Sequence, residues 1–329
     1  MKRLKIGQIG IGHNHASAKM EAARKFPELF EIVGYAEDDE EWIKKRGDYA
    51  AYSGLKRFST DDLIEKCDAL FVECDVWNLT KYAKACIAAG KHIHLDKPAS
   101  GTLEEYRELL DSAKAKNLTV QLGYMYRYNP TIKDAFSRIA NGELGSIHSI
   151  TAEMSTRHDD EYRTWLNNFP GGNMYIFGSH LIDLIILLLG EPKRVESNVI
   201  SSMIRGIKSP DITSASLIYD DALARVFVSS VECNGWGRRC FSVAGSEGTL
   251  EIRPLEVPVR ARIAKRGEGA EYFADYAREL DCVQLPDSCR YDEMLRDFYD
   301  FIVYGKENPY SYEHEYNVQK VLYKIVGAV

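Results

Sequence analysis

A lysine after one strand and a histidine opening one helix are the placements in this chain with most chemistry to offer. Lys97 sits in Asp96-Lys97-Pro98, directly behind the apolar run Lys91 to Leu95. At the carboxyl end of a strand in an open α/β sheet, an ammonium faces the ligand crevice. There it can donate to a hydroxyl and stabilise the alkoxide that forms as hydride leaves. Taken alone, Lys-Pro is an ordinary surface turn. His180 and Asp183 lie within Gly171-Gly172-Asn173-Met-Tyr-Ile-Phe-Gly178-Ser-His180-Leu-Ile-Asp183. Three apart at the start of an apolar helix, they share a face. Imidazole suits removal of a hydroxyl proton near neutral pH, and a nearby carboxylate orients it or raises its basicity. The plainer reading is a capping or core histidine, with Asp183 paired to a basic group.

Hydride needs an acceptor, and the beginning of the chain reads as a place for one. Leu4, Ile6, Ile9 and Ile11 form a strand, Gly10-x-Gly12 a turn, and His15 to Phe26 a helix. Such a turn aims backbone N–H groups and a positive helix end at one point, which suits the pyrophosphate of a dinucleotide. His15 stands where the third glycine of the fingerprint is usual. A second strand, Glu31 to Ala36, ends in Glu37, close to the offset of roughly 20 residues expected for a carboxylate that binds ribose hydroxyls. Asp38 and Asp39 follow with no arginine beside them in sequence, so NAD is expected over NADP. The cofactor-binding candidates are Gly10, Ile11, Gly12, His13, Asn14, Glu37, Asp96 and Lys97.

The elements that must position these groups follow from the pattern. Between Phe30 and Gly123 strands and helices alternate: Cys67 to Glu73, Leu79 to Ala89, Lys91 to Leu95, a helix opened by the capping box Thr102-Leu-Glu-Glu105, then Leu118 to Leu122. Repeated units of this length imply a doubly wound parallel sheet, a Rossmann domain over residues 1–123. From 124 to 329 the pattern becomes α+β with a largely antiparallel open sheet. Strands are expected at Ser146–Glu153, Arg194–Met203, Ile212–Tyr219, Leu223–Cys233, Phe241–Ala244 and Thr249–Arg253. Helices are expected at Pro130–Ala140, Ser179–Leu189, Tyr291–Tyr304 and Glu313–Val326. One face of such a sheet needs a cover, and a second copy supplies one in a homodimer or homotetramer.

Composition narrows the class. A chain of 329 residues can bury a sizeable core, and 45% apolar with 28% charged residues is ordinary for a globular protein. A net charge of −7 argues against nucleic acid or an anionic membrane as main partner. The run Leu184 to Leu189 is too short to span a bilayer, and the first strand at Leu4 leaves no room for a basic leader. Seven scattered cysteines without a CxxC pair or Cys/His cluster imply neither a disulfide framework nor a metal site. A reducing cytoplasm fits best.

The ordered set GQIGIGHNHA, Glu37, AAGKHIHLDKP, QLGYMYRYNP, NGELGSI, GGNMYIFGSHLIDL and DFYDFI…NPYSYEHEYNVQKV resembles the Gfo/Idh/MocA family of NAD(P)-dependent oxidoreductases along essentially the whole chain. In that family the lysine of Glu-Lys-Pro contacts substrate and cofactor and the histidine of Gly-x-His is the usual base. The resemblance therefore implies these roles for Lys97 and His180, and sugars or polyols as substrates. Three departures stand out. Asp96 replaces the commoner glutamate, and His15 replaces a glycine. Ile176 occupies the position, four before the histidine, where the family has an aspartate; an isoleucine can neither orient a lysine nor relay a proton. Either Asp183, Tyr175 or a residue from elsewhere then stands in, or the chemistry is changed.

Candidate substrate contacts are Tyr126, Arg127 and Asn129 after the last strand of the first domain. Arg157 and His158 end a later strand, and Trp165 and Asn173 lie on the way to His180. The sequence thus reads as an NAD-dependent oxidoreductase oxidising a secondary hydroxyl of a sugar, inositol or related polyol. Lys97, His180 and Asp183 are its catalytic candidates, with Lys97 and His180 required to meet at the nicotinamide. Two other readings stay open: redox-neutral chemistry with retained NAD (transient oxidation followed by elimination, hydrolysis or epimerisation), or an NAD-binding protein without catalysis.

Overall fold

The computed structural model describes residues 2–269 and 276–328. In chain order the elements of the first part are β1 (Leu4–Ile9), α1 (Ala16–Arg24), β2 (Phe30–Ala36), α2 (Glu40–Arg46), β3 (Arg57–Phe58), α3 (Thr60–Lys66), β4 (Ala69–Val72), α4 (Leu79–Ala88), β5 (His92–Leu95), α5 (Leu103–Ala115) and β6 (Val120–Leu122). Then come α6 (Pro130–Ala140), β7 (Ile147–Glu153), α7 (Asp160–Leu166), α8 (Ser179–Leu189), β8 (Arg194–Ile200), β9 (Ile212–Ile218), β10 (Leu223–Ser229) and α9 (Gly235–Arg238). The last are β11 (Cys240–Gly245), β12 (Gly248–Ile252), β13 (Ala261–Lys265), β14 (Arg278–Leu280), α10 (Asp292–Val303) and α11 (Tyr312–Val326).

Two compact units result: Met1–Met125 with Asp287–Tyr316, and Tyr126–Pro286 with Asn317–Val329. The first holds a six-stranded sheet of order β3-β2-β1-β4-β5-β6, in which every pairing is parallel. Helices cover both faces, so β4 is buried at all four positions and reads as a continuous apolar run rather than an alternating one. Strand order reverses between β1 and β4, the place where such sheets open a crevice for ligands.

The assignment of everything after Gly123 to one domain is corrected here, because residues 287–316 return to the first unit. Their attachments are polar and specific. Gln121 Nε2 donates to the Met294 carbonyl at 3.0 Å, Tyr299 Oη to that of Lys2 at 2.7 Å, and Val120 N to Tyr312 Oη at 3.1 Å. Amphipathic helices such as α10 carry no sequence mark of which sheet they will cover.

The second unit holds an eight-stranded sheet of order β14-β13-β12-β11-β7-β10-β9-β8. It is antiparallel except for one parallel pair, β7 with β10. Buried and half-buried residues alternate strictly along β9, as a sheet with one covered face requires. Against that face packs α8, where Leu181, Ile182, Leu184 and Ile185 are fully buried. Each such side chain contributes about 1.5–3 kcal/mol relative to exposure.

β8 stops at Ile200 rather than Met203, because Met203 and Arg205 adopt left-handed backbone (φ 56° and 57°) that a strand cannot continue. Asp211 closes that turn, accepting from Ser202 N at 2.7 Å and Arg163 Nη2 at 2.9 Å. No helix among the described residues is long and apolar enough to cross a membrane.

Candidate active site

The glycine turn of the first unit is fixed by sterics. Gly10 has φ +84°, and a Cβ there would lie 2.2 Å from the Cα of Cys74 on the neighbouring strand's exit, so no other residue fits. A Cβ on Gly12 would lie 2.9 Å from Trp42 Nε1. Beyond the turn α1 begins with no side-chain cap and no acid in its first turn, leaving a positive helix end uncompensated. Glu37, at the end of β2, accepts from Ile11 N at 2.8 Å and from Asp39 N at 3.0 Å. Burial pushes its carboxyl up from the ordinary range, against those two bonds. Glycine cradle, open helix start and strand-end carboxylate together fit a dinucleotide. Gly10, Ile11, Gly12, His13 and Asn14 would hold its pyrophosphate and Glu37 its ribose.

Two arginines distant in the sequence come close to this edge in space. β3 pairs next to β2, Tyr35 opposite Arg57, and brings the Arg57 guanidinium to the Glu37 carbonyl at 2.8 Å and to Glu40. From α2, Arg46 donates to the carbonyls of Ile11, Gly12 and His13 at 3.2, 3.0 and 2.7 Å and to Asn14 Oδ1 at 3.0 Å. Its guanidinium stacks on Trp42. Strand pairing brings Arg57 to the end of β2, and the packing of α2 brings Arg46 to the glycine turn.

Behind the cradle lies a buried charge cluster. The ammonium of Lys19, on α1, is fully buried and donates to Glu73 Oε1 at 2.8 Å and Asp96 Oδ2 at 2.7 Å. His13 Nδ1 and His15 Nδ1 reach the same Asp96 oxygen at 2.9 and 3.1 Å. The other oxygen, Oδ1, accepts from Lys97 N at 2.7 Å. Burial alone would raise Asp96, but His13, Lys19 and His15 outweigh it and hold the carboxyl well below its usual range. Burial lifts Glu73 well above its own range, with Asp96 adding to the shift. His15 is lowered to about 3 by burial, which outweighs Asp96. The two imidazoles and Asp96 Oδ2 form a donor set of metal-ligand type, but the Lys19 ammonium already supplies a cation to that oxygen. The cluster's effect is to clamp Asp96, and through it the backbone of Lys97, at the carboxyl end of β5.

In the second unit a π-helical turn, Met174–Gly178, runs into α8. Such turns recur at functional sites. His180 is buried, and the ring of Tyr126 meets its imidazole edge-on at 5.1 Å and 90°. Tyr126 Oη donates in a short bond to Glu256, which also accepts from Arg239 Nη1 at 3.0 Å. Arg239 lies over the rings of Trp236 and Phe177, and Phe177 touches His158, which stacks on Tyr162 and so joins Trp165. Of the sequence candidates, Tyr126, His158, Trp165 and His180 thus fall on one chain of contacts.

Asp183 is engaged differently. Its Oδ2 accepts from Arg127 Nε at 2.9 Å and its Oδ1 from Arg127 Nη2 at 2.6 Å, with both residues buried. Asn173 is buried, and neither its Oδ1 nor its Nδ2 has a hydrogen-bond partner among the described residues. Asn129 caps α6, accepting from Thr131 N. Ile176 and Tyr175 are buried, with Tyr175 stacked between Phe169 and Tyr323.

Sequence reasoning did not reach Lys19, Glu73, Arg46, Glu256 and Arg239. The signal for Glu73 was its place as the acid closing an apolar strand. The others are ordinary charged residues until the fold buries them.

Known proteins agree with this geometry. Residues 4–124 match the family model described as oxidoreductase family, NAD-binding Rossmann fold, and residues 132–251 match the GFO/IDH/MocA C-terminal domain. Among curated proteins, the chain is 29% identical to the uncharacterized oxidoreductase YhhX of Escherichia coli over 69% of its own length and 68% of the relative's. It is 25% identical to glucose-6-phosphate 3-dehydrogenase of Bacillus subtilis over 69% and 65%. Among solved structures it superposes on UDP-N-acetylglucosamine 3-dehydrogenase from Acidithiobacillus ferrooxidans with a TM-score of 0.81 at 19% identity, over 100% and 98% of the chains. An oxidoreductase from Agrobacterium radiobacter gives 0.83 at 15%, over 99% and 96%. At these identities the two structures establish the fold.

Proposed function

The chain belongs to the GFO/IDH/MocA family of oxidoreductases, and from that premise we propose that it oxidises a secondary hydroxyl of a sugar, inositol or related polyol with NAD. The observation that carries this reading is the clamped Asp96-Lys97 pair at the end of β5, in the same unit as the glycine cradle. Lys97 donates to the reacting hydroxyl and stabilises the alkoxide; His180 takes the proton. When bound, the dinucleotide accepts the hydride. Asp183 neutralises Arg127 and positions α8 rather than taking the proton itself. Relatives named glucose-6-phosphate 3-dehydrogenase and scyllo-inositol 2-dehydrogenase (NADP(+)) support sugar and polyol hydroxyls as the substrate class.

NAD is preferred to NADP because Glu37 faces the ribose position while Arg57 is spent on Glu40 and Arg46 on the turn carbonyls. A 2′-phosphate would meet the Glu37 carboxylate, and Arg57 already pairs with Glu40. A second reading is favoured by Ile176: with no aspartate before His180, the product can be modified and the hydride returned, giving redox-neutral chemistry on retained NAD. A reducing compartment accords with seven cysteines that are all unpaired. The half-buried open face of the eight-stranded sheet, with Ser214, Ser216 and Ile218, accords with a homo-oligomer.

The test is a panel of sugars and polyols with NAD and with NADP, followed at the NADH absorbance band. NAD-dependent turnover that falls 10²–10⁴-fold in His180→Asn is expected. Turnover in which His180→Asn matches the parent removes His180 from the chemistry.

A further inference from the structure

Arg157, His158 and Arg163 of the second unit line one cavity. Beyond β7 the chain continues beside residues 229–231, with His158 N donating to the Ser230 carbonyl at 3.0 Å, and then enters α7. Here a cavity of about 590 Å³ is lined by Arg157, His158, Arg163, Ile204 and Arg205, with Asp159 and Asp160 at the same wall.

Arg163 is only 2% exposed. Its Nη2 serves Asp211 at 2.9 Å and the Ile204 carbonyl at 3.1 Å, and its Nη1 approaches Asp160 at 3.4 Å. Its Nε–H is buried with no acceptor, and His158 Nε2 is buried with no hydrogen-bond partner among the described residues. The His158 ring is held flat on Tyr162 at 4.2 Å, so its edge is what it offers. Arg157 lines the cavity and makes no side-chain hydrogen bond or ion pair among the described residues.

The acids at the wall are already used. Asp160 Oδ2 accepts from Arg205 at 2.9 Å, and Asp159 Oδ1 accepts from Tyr162 N at 2.8 Å as the cap of α7. Asp160 is thus paired with Arg205 and Arg163 and Asp159 is tied to the start of α7 through one oxygen, while Arg157 has no carboxylate partner among the described residues. A buried N–H without an acceptor is unfavourable, and a ligand oxygen removes that cost. Guanidinium forks and oxyanions match in charge and planar geometry, giving bonds stronger than neutral ones. A neutral hydroxyl would satisfy the donors but leave the Arg157 charge without a partner.

We propose that this cavity binds an oxyanion carried by the substrate, a phosphate ester or a carboxylate on the sugar or polyol, with Arg157 as its main charge partner. The inference rests on the oxidoreductase reading above and narrows its substrate class. At the cavity wall the His158 ring lies 5.4 Å from that of Phe177, which immediately precedes the Gly178-Ser-His180 turn.

Calorimetric titration of the whole chain tests it, with glucose 6-phosphate, glucuronate, glucose and inorganic phosphate as probes, on the parent and on Arg157→Ala. Arg157 is exposed, so its removal leaves the fold intact. Glucose 6-phosphate binding at least 10-fold tighter than glucose, competed by inorganic phosphate and lost in Arg157→Ala, establishes a phosphate site. The same preference for glucuronate alone establishes a carboxylate site. Equal binding of charged and neutral probes, or anion binding unchanged in Arg157→Ala, overturns the proposal. Turnover with NAD is read separately. Anion binding without turnover of any probe counts against the oxidoreductase reading, whereas turnover of neutral polyols with no anion preference counts against the oxyanion site alone.

Discussion

Lys19 shows how much a single side chain carries here. Its ammonium is fully buried between Glu73 and Asp96 and is the cation that lets Asp96 stay ionised in the interior. Removing one partner of such an arrangement leaves an uncompensated buried charge, which costs about 3–5 kcal/mol. Lys19→Met is expected to lower the unfolding free energy by that amount in urea titrations, and Lys19→Met with Asp96→Asn to recover part of it. An unchanged midpoint in the single variant would show that Asp96 does not depend on Lys19. None of this was legible in the sequence, where Lys19 is one of 42 basic residues. Lys97 and His180 were legible because their strand-end and helix-start settings are local. The engagement of Asp183 by Arg127 was open in sequence between an orienting acid and a partner for a base, since a spacing of three says which residues share a face and not which neighbour arrives.

At the scale of elements, the glycine turn is the joint on which the first unit's site depends. Gly10→Ala would place a Cβ 2.2 Å from the Cys74 backbone at a positive φ, with no flexible side chain to yield. The expected outcome is loss of dinucleotide binding, read by quenching of intrinsic fluorescence, with a lowered melting temperature. Binding within twofold of the parent would mean that the turn is not the cradle. β7 at Ile147–Glu153 and α8 at Ser179–Leu189 fall where the pattern put them, whereas α2, α3, α7, β3, β13 and β14 were not anticipated and the strand from Leu223 ends at Ser229 rather than Cys233. What also escaped was partnership: the parallel β7–β10 pair, the placing of Arg57 beside Glu37 through β3, and the return of 287–316 to the first sheet. Each joins residues distant in sequence, and hydrophobic period carries no information about which edge or face they will meet.

For the molecule as a whole, buried histidines set the pH dependence of stability. His94 and His15 are lowered from 6.5 to about 3, and His158 to about 4, burial being the largest cause in each. Between those values and 6.5 the unfolded chain holds protons that the folded chain does not. Stability therefore rises with pH across that window and is fully present above 6.5, with a slope of up to about 1.4 kcal/mol per pH unit for each group. Glu73 and Glu37, raised above 4.5, act in the opposite sense and offset part of the rise. Unfolding free energy is expected to be larger at pH 7 than at pH 5, with a flatter slope in His94→Gln; greater stability at pH 5 would refute this balance.

The account's central claim is that Lys97 acts on the reacting hydroxyl and not in holding the dinucleotide. Its most direct measurement sets kcat for a turned-over polyol beside the dissociation constant for NAD, in the parent and in Lys97→Ala. A fall in kcat of at least 10²-fold with NAD binding changed by less than about threefold is predicted. Full turnover in Lys97→Ala would contradict the claim, as would loss of turnover traceable entirely to lost NAD binding.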